Sequence, residues 1–164
     1  PFRRLDVPQA ARHLLCTLGI MNSVTKHYDA LFAEVVSTFG ALRSETMSAV
    51  IGFGAGGPIS VAVVDRKPVY VTCELSLYPE QVPSAEGERF ELLFESPLNQ
   101  SDIQNLLTAL GRLSFNAQLG DGHTIDISGI SPPNGPKLVS LRHFSSISTP
   151  TGSFGIYQVI PASS

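Results

Sequence analysis

Asp121, His123 and Asp126 set an imidazole between two carboxylates within the string Gly120-Asp121-Gly122-His123-Thr124-Ile125-Asp126-Ile127. A histidine with a carboxylate to orient it is the minimum for general-base or nucleophilic chemistry. The alternation that starts at His123 divides the group. His123 shares a strand face with Ile125 and Ile127, whereas Asp126 points to the other face. The string therefore reads first as a structural imidazole bonding a glycine turn, next as a partner contact, and last as a catalytic or metal site. His13, His27 and His143 add no H-x-x-x-H spacing, and with Cys16 and Cys73 they make no zinc pattern. No metal or other cofactor is expected.

Two further strings carry chemical content. Gly52-Phe53-Gly54-Ala55-Gly56-Gly57 matches the G-x-G-x-x-G fingerprint letter by letter. That fingerprint needs a helix N-terminus to face the pyrophosphate, and here Pro58 and a β-branched run follow, so a flexible loop or turn is expected. Glu74 lies in an alternating run with Tyr70, Thr72, Ser76 and Tyr78 on one face, which could form an amphipathic recognition surface. No G-x-S-x-G nucleophile elbow occurs.

The elements that must position these residues follow from periodicity. Val24, Tyr28, Leu31, Phe32, Val35, Val36 and Phe39 recur at helical steps and Gly40 follows as a stop. Residues 59–64 and 69–78 read as a hairpin joined by Asp65-Arg66-Lys67-Pro68, and 89–96 as a third strand after a loop over 79–88. Ile103, Leu106, Leu107, Leu110 and Leu113 mark a second helix over 101–115, with Ser101 and Gln104 as its capping box. A short strand from His123, a proline-rich loop over 129–136, and strands at 137–144 and 153–160 complete the pattern, with 145–152 read as a polar turn region. The order predicts an α+β fold, a mixed and mainly antiparallel sheet with helices packed on it.

Composition narrows the function. The 164 residues are 43% hydrophobic and 15% charged, which suits one folded domain with a lightly charged surface. A net charge of -3 with no basic patch argues against nucleic acid as a partner. No stretch approaches the roughly 20 apolar residues that a membrane-spanning helix needs. Two cysteines do not make a disulfide scaffold, and a reducing, cytoplasmic setting is expected. Cys73, among Val69, Val71, Leu75 and Leu77, reads as a small buried hydrophobe. Residues 1–21 are expected to be a helical extension, with Ala11, Leu14, Leu15 and Leu18 on one side, and 22–161 a single domain.

Several blocks together resemble the suppressor of fused family. Tyr70-Val71-Thr72-Cys73-Glu74-Leu75-Ser76-Leu77-Tyr78 is similar to a family strand with a Leu-Ser and Leu-Tyr pattern, and Arg89-Phe90-Glu91-Leu92-Leu93-Phe94-Glu95 to its Phe-Glu-Leu strand. The helix end Gly111-Arg112-Leu113-Ser114-Phe115, the 120–127 turn and the closing run from Thr149 through Gly155 to Ile160 follow in family order. The resemblance implies a non-enzymatic protein-binding domain. Animal members bind an extended segment of Gli transcription factors, but the family's Tyr at the helix end is Leu113 here and its Asp falls on Asp121 or Gly122, so that role is not transferred. Stand-alone bacterial members imply an immunity protein that sequesters a toxin or another protein. The candidate contacts are Asp121, His123, Arg112 and Glu74. Two alternatives stand beside this reading, a small enzyme using His123 and Asp121, and a homo-oligomerisation module.

Overall fold

The computed structural model describes residues 20–150 and 152–162; the helical extension expected over 1–21 falls almost wholly outside them. Helix α1 spans Ile20–Phe39, followed by strands β1 Val61–Val63, β2 Val69–Thr72 and β3 Arg89–Glu95. Helix α2 spans Gln100–Leu113, and β4 Thr124–Asp126, β5 Leu138–Thr149 and β6 Gly152–Ala162 close the chain. The strands form one six-stranded sheet in the order β1-β2-β3-β6-β5-β4. Only β3 and β6 run parallel; the other neighbours are antiparallel. This is the mixed α+β sheet that the element order predicts.

Each face of the sheet carries one helix, so the central strands are buried on both sides. Phe90, Leu92 and Phe94 of β3, with Tyr157 and Val159 of β6, meet Ile103, Leu106, Leu107 and Leu110 of α2. Leu93, Ile156, Ala62 and Val71 meet Val24, Tyr28, Leu31 and Val35 of α1 on the opposite face. Period-two alternation explains the division, because neighbouring strand residues point to opposite cores. Gly40 ends α1 with φ +104, a left-handed conformation suited to glycine, and donates to Val36 O.

Several boundaries differ from the sequence reading. The expected strand over 69–78 stops at Thr72, and Leu75–Leu77 is a 3-10 turn. The polar strand face carrying Glu74 therefore does not exist, for Tyr70 and Thr72 are buried and Glu74 sits at the turn's start. Helix α2 is capped by Asn99, whose Oδ1 accepts from Asp102 N at 2.9 Å, rather than by a Ser101–Gln104 box. Leu113 lies at the frayed end of the apolar stripe and is 37% exposed instead of core. The expected turn region over 145–152 is mostly strand, with β5 and β6 paired from Leu138↔Ala162 to Thr149↔Gly152. A register shift between His143 and Ser145 lets buried Ile147 reach the α1-side core, which no simple alternation across the shift would reveal.

Candidate functional site

The candidate residues fall into two groups. Asp121 and His123 form a turn against β5. Gly122, with φ +76, donates to Leu141 O at 2.8 Å, and Leu141 N donates to His123 O at 2.9 Å. The Asp121 carboxylate accepts from His143 N at 2.7 Å, so it caps the β5 backbone. The His123 ring is exposed and makes no hydrogen bond among the described residues. Instead of a buried imidazole, backbone hydrogen bonds and the Asp121 carboxylate hold the turn, and the His123 ring faces solvent.

A polar network adjoins this turn. Ser146 Oγ donates to Glu88 Oε1 at 2.7 Å and meets His143 Nε2 at 3.0 Å. The Tyr157 hydroxyl donates to Glu86, which holds that carboxyl below its ordinary range. Burial first, then this carboxylate, raises the phenol.

Arg112 and Glu74 instead brace the 52–57 loop. Arg112 Nη2 donates to Gly57 O at 2.9 Å while its guanidinium lies 5.0 Å from the Phe53 ring centre. Phe53, Tyr78 and Phe115 pack on one another, edge to face or tilted. Glu74 accepts from Ser60 N at 2.9 Å and from the Tyr78 hydroxyl at 3.3 Å, and Tyr78 in turn accepts from Gly54 N at 3.1 Å. Burial, then the Glu74 charge, pushes the Tyr78 phenol up to about 12. The loop folds on itself through Gly57 N to Gly52 O around a 3-10 turn over Phe53–Ala55, and leads into β1 rather than into an α-helix. A Cβ on Gly57 would lie 1.8 Å from Ile51 O. Gly57→Ala is expected to destabilise the fold by about 1–3 kcal/mol through this backbone clash; a urea midpoint equal to wild type would show that the loop yields freely.

A third constellation escaped the sequence reading. Glu91 of β3 is fully buried on the α1 face. Its Oε2 accepts from Thr72 Oγ1 at 2.5 Å and Leu75 N at 3.1 Å, and its Oε1 from Ser76 N at 2.8 Å and Ser76 Oγ at 2.7 Å. His27 of α1, also buried, places Nε2 3.5 Å from both Glu91 Oε1 and Ser76 Oγ. The signal was present: a central strand covered on both faces should be continuously apolar, and Glu91 interrupts Phe90 and Leu92. His27 likewise lies three residues after Val24 and four before Leu31, on the apolar stripe of α1.

A serine, a histidine and a glutamate together invite comparison with a catalytic triad, but the order is wrong. A triad uses one imidazole nitrogen for the nucleophile and the other for the carboxylate. Here Nε2 faces both, and the Leu75 and Ser76 amides that could stabilise an oxyanion are bound to Glu91. Asp121 and His123 form no acid–base pair either: the carboxylate accepts from His143 N, and no hydrogen bond joins it to the exposed His123 ring. Cys73 is fully buried, and burial pushes its thiol well above its ordinary range. Among the described residues no group of His, Cys, Asp or Glu is placed to hold a metal ion, and no helix is long and apolar enough to cross a membrane.

The structure is a two-faced α+β scaffold with an exposed turn, a braced aromatic loop and polar groups tied into the backbone. The family model for suppressor of fused protein (SUFU) matches residues 57–164, and the chain belongs to that family. It is a protein-interaction domain of the suppressor-of-fused type, from a family that is generally non-enzymatic. No curated protein matches the chain. Helix α1 precedes the matched segment yet supplies one side of the second core.

Proposed function

We propose that this domain is a non-enzymatic binding protein that captures an extended segment of a protein partner along the outer edge of β5. One observation carries the reading: β4 pairs only with residues 138–140 of β5, and no described strand lies outside 144–148. Phe144, Ser145, Ser146, Ile147 and Ser148 include no charged side chain and no proline, the usual protections of an exposed edge. An added strand would draw affinity from backbone hydrogen bonds and selectivity from nearby side chains. Asp121 and His123 flank the start of that edge. Arg112 and Glu74, around the 52–57 loop, form a separate rim. Sequestration of a toxin by a cytoplasmic immunity protein is the biological role that fits such a domain best.

Asp121→Lys is expected to weaken binding by more than about 1 kcal/mol, with His123→Ala acting in the same direction. Calorimetry with a protein encoded beside this gene checks it. Wild-type affinity in both variants would place the interface away from β5.

A further inference from the structure

We propose that the segment captured at the β5 edge alternates apolar side chains with lysine or arginine. The inference rests on the reading of that edge as the capture site and names the chemistry of its partner. Before the register shift, Leu141 and His143 turn their amides outward, to His123 O and Asp121; the extra residue moves the outward set to Ser146 and Ser148.

Two unlike surfaces flank this edge. His143 pairs with Tyr157 of the α2-side core, and Ser146 shares that face through its contact with the His143 ring. Ser145 and Ile147, paired with Ile156 and Phe154, lie toward α1. A strand laid along the edge alternates in the same way, so its successive residues meet the two surfaces in turn.

Toward α2 the surface is acidic. Glu88 Oε1 accepts from Ser146 Oγ at 2.7 Å and lies 3.6 Å from His143 Nε2. Exposed Glu86 accepts from the Tyr157 hydroxyl and the Asp121 backbone, and exposed Asp121 accepts from His143 N. Among the described residues no lysine or arginine forms an ion pair with any of these three carboxylates. A cation on the partner gains charge-assisted hydrogen bonds there.

Toward α1 the surface is apolar. Partly buried Phe144 stacks on Phe39 with ring centres 5.7 Å apart, and Phe39 continues a stripe with Phe32 and Val36 along the helix. Val36 is 41% exposed, which leaves apolar area for a partner to cover. A second copy of this chain is a poorer occupant, because its own 144–148 brings no cation to the carboxylates.

The test measures fluorescence anisotropy of three end-blocked synthetic peptides with the whole chain: one alternating valine with lysine, one valine with glutamate, one serine with lysine. The valine–lysine peptide should bind at least about tenfold tighter than either counterpart. The joint variant Glu86→Gln, Glu88→Gln should cut its lead over the glutamate peptide several-fold. Ser148→Pro, which removes an outward amide, should weaken valine–lysine binding about tenfold. Equal affinity for either counterpart, with the proline effect intact, would overturn the alternation and leave capture at β5 standing. Valine–lysine binding unmoved by Ser148→Pro would remove the edge as the capture site and the alternation with it, and failure of that peptide to bind also overturns the proposal. The comparison among peptides needs only the wild type, so a variant that does not fold leaves the test decisive.

Discussion

Glu91→Ala is expected to destabilise the fold by about 3–5 kcal/mol, the scale for removing one member of a buried charged network. The loss has several parts. Thr72, Leu75 and Ser76 would keep buried donors without their acceptor, and each unsatisfied donor costs about 1–3 kcal/mol if water cannot enter. The 3-10 turn would also lose the carboxylate that caps its first amides. Glu91→Gln keeps the shape but replaces one acceptor with a donor, so it should fall between alanine and wild type. Thermal melts would show alanine lowered by roughly 10 °C for a chain of this size. Equal melting temperatures for all three proteins would mean that water replaces the carboxylate at no cost.

How far the sequence reveals this architecture depends on whether one period governs a segment. The helices were legible because apolar residues recur along them, and β3 because its run is compact. The polar face assigned to Glu74 failed because an alternation counts residues without knowing where a chain turns. Thr72 and Ser76 look solvent-facing in the string, yet a carboxylate from another strand draws both inward. A distant acceptor leaves no local mark. The same holds for β5, where the register shift after His143 breaks the alternation and hides a long strand among serines.

The candidate site shows a similar division. Asp121 and the glycine turn were legible as a unit because adjacent residues form it. Joining them to Arg112 and Glu74 required tertiary knowledge, and the structure ties Arg112 to Gly57 and Glu74 to Ser60 instead. His27 and Glu91, separated along the chain, meet only because α1 crosses β3 on one face of the sheet. Neither residue type is unusual for its own segment's surface. Their burial is what makes them informative.

Leu107→Ala is expected to cost about 2–5 kcal/mol, while Leu113→Ala, six residues further along the same helix, should change stability by less than about 1 kcal/mol. Leu107 is fully buried against β3 and β6, so truncation leaves a cavity between helix and sheet that close packing cannot easily fill. Leu113 is partly in water and has room to relax. The contrast separates burial from helix propensity, which the two substitutions change alike because both replace leucine with alanine in α2. Chemical denaturation of the two variants measures it directly. Equal losses would mean that Leu113 is also packed in solution, and that the exposed end of α2, where Arg112 meets the Phe53 loop, belongs to the core rather than to the surface.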